Sequence, residues 1–331
     1  MRLFHLLIGR NVVASYVIFT QQSAVEIERR GTSLAMRIHD ILSNPSSVLS
    51  DNDRRTFFER GYLRLPAFIP QQPLHAAQRA TDAAIERSRH LNAPHSDFSF
   101  EPQHSTETPK PSRLFRAADE NVAFWQIASS ALMLDLAADL VGPDVRYRET
   151  YINFKSPGTG APVDWHQDFA FFPHTNRAII TAITYLVDVS VEMGPLMVVP
   201  GSHHKDVFDH YDSDGVFNGK VQDSDLSSAS IQHAIDLPGP AGTVVVFDGC
   251  MLHGSKPNLG SSTRPALVSG YSAADAFPYT ELPPPHIDSH AWSILRGERP
   301  LYAHHEPVHV KVPPSWTGGQ FKPIFDLQQT D

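Results

Sequence analysis

The second half of the chain narrows the fold most. From Val145 onward, β-rich runs follow one another: Val145–Lys155, Ala178–Val189, Leu196–Pro200, Gly242–Asp248 and Arg264–Ala273. Each is short, and Gly or Pro turns separate them. This texture predicts an all-β sandwich, jelly roll or barrel rather than a doubly wound sheet. Residues 205–235 are polar and read as a long excursion between strands. Excursions of that length are often functional lids.

The first half reads as helices that precede and buttress the β core. Val25, Ile27, Leu34, Ile38 and Ile41 recur at helical spacing over 23–43. A second helix starts where Ser50 or Asp51 can cap free N–H groups, and stops at Gly61. Tyr62, Leu63 and Leu65 suggest a short strand. Residues 71–91 and 118–141 are helical, and 93–116 read as a loop. Residues 1–48 are expected to be an extension, helical in part. They read either as an appended segment or as the product of an upstream start, with Met36 as the true one. Arg2 and the apolar residues after it resemble a secretory signal, but Arg10 and Asn11 interrupt the stretch. Residues 49–331 are expected to be a single domain, with the β core at about 145–276.

Charge and cysteine content restrict the partners. Twenty-seven Lys and Arg against 36 Asp and Glu give a net charge of −9. A nucleic-acid binder or an anionic-membrane binder would normally carry a basic surplus. No run reads as the roughly 18 apolar residues of a membrane span. Cys250 is the only cysteine, so an internal disulfide and a multi-Cys metal site are excluded. A reducing compartment, the cytoplasm, fits that usage. The expected partner is a small-molecule substrate, and the expected state a monomer or homodimer.

With 18 histidines a metal is worth looking for, and the informative segment is Asp164-Trp165-His166-Gln167-Asp168. On a strand, His166 and Asp168 would face one side, about 6.5–7 Å apart. His253, after the turn Asp248-Gly249-Cys250, is the best third ligand, expected from a strand across the core. Two His and one carboxylate on one face of an octahedral ion leave positions open, the arrangement of non-haem Fe(II) oxygen chemistry. An isolated H-x-D arises often by chance in such a chain. Arg264, eleven residues after His253, strengthens it. A tight hairpin would return its guanidinium beside the metal, where it could clamp a carboxylate bidentately. An open Fe(II) site with a buried Arg suits a 2-oxo diacid.

His166-x-Asp168, Gly194-Pro195-Leu196 leading to Val199-Pro200-Gly201-Ser202-His203, and His253-Gly254-Ser255 with Arg264 together resemble the phytanoyl-CoA dioxygenase family. The resemblance covers roughly Leu49 to Ala276. It implies a double-stranded β-helix (jelly-roll) core and a non-haem iron dioxygenase using Fe(II), 2-oxoglutarate and O2. It implies His166, Asp168 and His253 as iron ligands, with Arg264 and Ser255 on the C5 carboxylate of 2-oxoglutarate. Lys155, in Ile152-Asn153-Phe154-Lys155, matches a further co-substrate contact. Where some relatives carry Trp, this chain has Ile183, so Thr184 or Tyr185 are expected to supply contacts. Related halogenases replace the carboxylate that Asp168 retains, which favours hydroxylation over halogenation. Desaturation or epimerisation could follow the same hydrogen abstraction. A zinc-binding hydrolase or a non-catalytic metal-binding β-barrel is the reading from another class. Arg264 with Ser255 discriminates, because zinc hydrolysis needs no diacid clamp.

Other residues have simpler readings. Trp165, Phe169, Phe171 and Phe172 read as core, with pocket lining as the sharper alternative. His203 and His204 read as a turn, and Gln167 as pointing away from its two neighbours. Tyr151 and Asn153 share the face of Lys155.

Overall fold

Ser50 sets the first well-defined helix. Its hydroxyl accepts from Asp53 N and the Asp53 carboxylate reaches back to Ser50 N, a reciprocal cap on helix α2 (Asp51–Arg60). The helix ends at Gly61, whose φ of 83° lies in the left-handed region. A computed structural model describes residues 37–93, 95–158, 160–280, 287–307, 310–314 and 324–328. The expectations for residues 1–36 lie outside these described residues; 37–43 are helical and form α1. The buried guanidinium of Arg54 ties this segment down, donating to the carbonyls of Ile41, Asn44 and Asp139. The Asp139 carboxylate in turn accepts from the backbone N–H groups of Ser47, Val48 and Leu49.

Two antiparallel sheets make the core. The larger has eight strands in the order β1 (Tyr62–Leu65), β9 (Val244–Asp248), β6 (Ile179–Tyr185), β11 (Arg264–Ala273), β4 (Val145–Lys155), β3 (Pro111–Leu114) and β2 (Phe98–Phe100), with β12 (Ile294–Arg296) also on β4. The smaller runs β5 (Val163–His166), β10 (His253–Ser255), β7 (Leu196–Val198) and β8 (Ile235–Asp236). The mainly β jelly roll that the family resemblance implies is the fold, buttressed by helices.

Alternation explains how one sheet serves two cores. Ile152, Phe154, Ile180, Ala182, Val244, Val246 and Leu267 face helices α3 (Gln71–Ser88), α5 (Val122–Ala128) and α6 (Ala131–Val141). The opposite set, Ile183, Tyr185, Val245, Phe247 and Ala266, faces the smaller sheet. All ten residues of β11 are consequently buried. On β4 the register slips at Arg148, which has no partner between Tyr147↔Tyr271 and Glu149↔Gly270. The bulge re-aims the strand, so that Glu149, Tyr151 and Asn153 face inward.

Four expectations need correction. Residues 93–116 contain the β2–β3 hairpin; Pro and Ser obscured its period, and it has only an edge position. The β core thus exceeds 145–276, recruiting β1, β2, β3 and β12. The stretch 118–141 is three helices: α4 (Ala117–Glu120), α5 and α6. Side chains of Asn121 and Ser130 cap the last two. Finally, Val122–Val141 has a mean hydropathy of 1.3, enough by length and composition for a span, yet 61% of it is buried in the fold. Its apolar character serves packing on the large sheet.

Asp248, at the end of β9, accepts from Cys250 N at 2.7 Å. Burial pushes its carboxyl up to about 7. Below pH 4 both folded and unfolded states hold the proton. Between pH 4 and 7 only the unfolded state ionises, so this group's contribution to stability is lost as pH rises. Asp248→Asn keeps the acceptor and removes the charge. It is expected to raise the melting temperature by several degrees at pH 8 and to leave it unchanged at pH 4, read by thermal melts across that range.

Candidate active site

His166 closes β5 and His253 opens β10, and the two are direct cross-strand partners. Their ring centroids lie 4.0 Å apart. The third ligand therefore comes from the neighbouring strand, not from across the core. Asp168 is not on the strand either. Gln167 is still extended, and the chain turns after it: Asp168 is the first residue of the short helix α7 (Asp168–Phe171). That turn swings the carboxylate round, with Asp168 Oδ1 3.9 Å from His166 Nε2 and 3.6 Å from His253 Nε2. One ligand atom from each residue falls within 4.8 Å of the others, a spacing suited to a shared ion.

The surroundings fix each ligand atom. His166 Nδ1–H donates to Asp164 O at 2.8 Å, and His253 Nδ1–H to Met251 O at 2.9 Å. Carbonyls only accept, so both Nδ1 atoms hold a proton and both Nε2 atoms are turned toward Asp168. Burial, then the neighbouring His253, keeps His166 well below the ordinary imidazole range, in the neutral form a metal requires. Thr181 Oγ1 donates to Asp168 Oδ2 at 2.5 Å, leaving Oδ1 for the ion. Thr181→Val is expected to weaken Fe(II) binding about 10- to 100-fold without lowering the metal-free melting temperature, read by iron titration.

Gln167 points away from its neighbours, as expected. Its amide spans Cys250 O and Phe208 N, both at 2.8 Å. Its backbone N–H donates to His210 Nε2 at 3.1 Å. Sequence reasoning missed His210 and Phe208. They clamp the 205–235 excursion onto the ligand turn, a long-range pairing with no local signal. His203 and His204 are structural: their Nε2–H groups donate to Phe58 O and Glu59 O at the end of α2. Gly254 separates His253 from Ser255 because a Cβ there would lie 2.8 Å from Val163 O, on the adjoining strand.

The three candidate ligands open on a cavity of about 90 Å³ between the sheets. Arg264 and Ser255 line it. No tight hairpin brings Arg264 back: β10 belongs to the small sheet and β11 to the large one, so the chain crosses between sheets. Asn258 organises that crossing, donating to Lys155 O and Ser262 O at 2.9 Å each. Arg264 is 5% exposed, and its Nε is buried without a hydrogen-bond partner among the described residues. Lys155 pairs with Arg264 in register but does not line the cavity. Its Nζ donates to the carbonyls of Lys256, at 2.5 Å, and Ser255, at 3.4 Å. Burial, aided by Arg264, brings this amine down to about 6. Ile183 lines the wall, whereas Thr184 and Tyr185 do not. Phe171 and Phe172 line it, while Phe169 belongs to a buried core cluster.

Two imidazoles, a carboxylate and a buried guanidinium whose Nε has no partner among the described residues, inside a jelly roll, define the class: a non-haem iron, 2-oxoglutarate-dependent dioxygenase. The family model for phytanoyl-CoA dioxygenase matches residues 57–266, and the chain belongs to that family. It is 32% identical over 234 residues to a probable alpha-ketoglutarate-dependent hypophosphite dioxygenase of Stutzerimonas stutzeri, covering 68% of this chain and 79% of the relative. It is 26% identical over 251 residues to the ectoine dioxygenase of Sphingopyxis alaskensis, covering 71% and 79%. The crystal structure of EctD from S. alaskensis with bound iron shares the fold, at a TM-score of 0.63 and 22% identity, over 78% of this chain and 90% of that one.

Proposed function

We propose that this dioxygenase hydroxylates an unactivated C–H bond of a small organic substrate, releasing succinate and CO2. His166, Asp168 and His253 hold the iron. Arg264 and Ser255 take the distal carboxylate of 2-oxoglutarate. Lys155 acts behind them, holding the Ser255–Lys256 backbone in place. Ferrous iron with 2-oxoglutarate and O2, when bound, supplies the oxidant for C–H cleavage. The protein's part is orientation: Nδ1–H bonds aim both imidazoles, Thr181 aims the carboxylate, and the apolar wall of Phe171, Phe172, Ile183 and Phe247 excludes water.

One observation carries this reading. Arg264 presents a buried guanidinium, without an anionic partner among the described residues, to the cavity that the ligand triad opens on. An uncompensated buried charge is costly, and a co-substrate carboxylate would compensate it. Hydrolysis at zinc has no such need. The retained Asp168 supports hydroxylation. We take residues 49–331 as one oxygenase domain, since the large sheet joins β1 to β12. The acidic balance and the lone buried Cys250 support a cytoplasmic monomer or homodimer without nucleic-acid or membrane partners. Anaerobic loading with Fe(II), addition of 2-oxoglutarate and O2, and quantification of succinate test the reading. Turnover supported equally by Zn(II), or without 2-oxoglutarate, would overturn it.

A further inference from the structure

The cavity holds a second guanidinium that neither the iron ligands nor the co-substrate clamp uses. Arg113 sits on β3, is 7% exposed, and lines the same space as His166 and Asp168. Its Nε–H donates to Asn153 Oδ1 at 2.9 Å, and its Cζ lies 4.2 Å from the centre of the Tyr151 ring. These contacts hold the guanidinium plane, and among the described residues its terminal nitrogens have no hydrogen-bond or ion-pair partner. The cavity wall it belongs to also carries His166, Asp168, Tyr151 and Asn153.

Charge balance sharpens the point. Two carboxylates line the cavity among the described residues, Glu149 and Asp168. Asp168 is engaged by Thr181 and faces both imidazoles. Glu149 lies 3.7 Å from Arg148, which the β4 bulge sets beside it. Arg264 is assigned to 2-oxoglutarate. Arg113 is thus left as a buried cation with no ion pair among the described residues. Such a charge in a binding cavity calls for an anion.

We propose that Arg113 is the substrate anchor, and that the substrate class is a small organic oxyanion, a carboxylate or a phosphonate, paired with its guanidinium beside the iron. This rests on the proposed function and narrows it. The group that recognises the substrate lies on β3 and β4, apart from Arg264 at the start of β11. Neutral analogues leave Arg113 desolvated and unpaired, so they are rejected.

Calorimetry on the anaerobic Fe(II)- and 2-oxoglutarate-loaded enzyme tests this. The probes are small monocarboxylates with their matched carboxamides, and methyl- and ethylphosphonate. At least one oxyanion is expected to bind about 10-fold or more tighter than its neutral counterpart or, for the phosphorus probes, than any carboxamide. The winning series tells carboxylate from phosphorus chemistry. Arg113→Gln is expected to lose about 30-fold or more of that affinity while holding 2-oxoglutarate within about 3-fold, and Arg113→Lys to retain part of it. An unchanged melting temperature separates this from misfolding. Equal binding of acids and amides, no binding of any oxyanion to the wild-type enzyme, or a parallel loss of 2-oxoglutarate affinity would overturn the proposal. If the wild-type iron enzyme fails to bind 2-oxoglutarate, the co-substrate assignment fails instead. The panel is then read on the iron-loaded enzyme alone, with the same criteria.

Discussion

Asp168→Ala is expected to lower succinate formation by more than about 100-fold and to abolish tight Fe(II) binding. Perturbing merely what supports a metal ligand typically costs 10- to 100-fold, and Asp168 is the sole anionic member of the triad. Its Oδ1 is the atom shared between the two Nε2 lone pairs, at 3.9 and 3.6 Å. Without it, two neutral imidazoles face a dication with no charge compensation. The metal-free protein should not suffer, because the change removes a carboxylate whose folded-state partners are a single hydroxyl and two imidazoles. Iron titration, succinate yield and metal-free melting temperature together read the outcome. Full-rate succinate formation by the variant would remove Asp168 from the ligand set. A collapse of the metal-free melting temperature would instead make its role structural.

The site was legible where chemistry constrains residue type, and less so where only geometry does. His166, Asp168, His253 and Arg264 could be singled out as candidates because few side chains suit Fe(II) or a carboxylate, and all four line one cavity. Their spatial relation was harder. H-x-D implies a continuous strand, yet the strand stops at His166 and a helical turn carries Asp168. The interval between His253 and Arg264 suggests a hairpin, yet the chain changes sheets there. Both errors come from extending local periodicity through short, irregular elements: β10 has three residues and α7 four. The five strand runs were readable because short β-rich runs are set off by Gly and Pro turns. The β2–β3 hairpin was not, since its three- and four-residue strands, one of them opening at Pro111, carry no such signal. That loss mattered, because β3 carries Arg113. His210 and Phe208 escaped for another reason: long-range hydrogen bonds to Gln167 leave no trace in local sequence.

Arg264→Met should separate the cost of the clamp from its use. Without ligand the substitution replaces a buried guanidinium, whose Nε lacks a partner among the described residues, with an apolar chain of similar length. The melting temperature without ligand should hold or rise, as it does when buried charges give way to well-packed apolar groups. Affinity for 2-oxoglutarate should fall about 30-fold or more, because losing one member of a buried charge pair typically costs about 2–5 kcal/mol. Wild-type protein at 100 times its dissociation constant gains about 2.7 kcal/mol from ligand, and the variant should lose most of that thermal shift at the same concentration. Arg264→Lys should fall between, having a point charge without the bidentate fork. A second co-substrate closes the cycle. 2-Oxobutyrate keeps the keto acid end and lacks the distal carboxylate, so it should bind wild type and variant alike. If Arg264→Met weakens both ligands equally, the guanidinium does not grip the distal carboxylate, and the reading of this cavity as a 2-oxo diacid site falls with it.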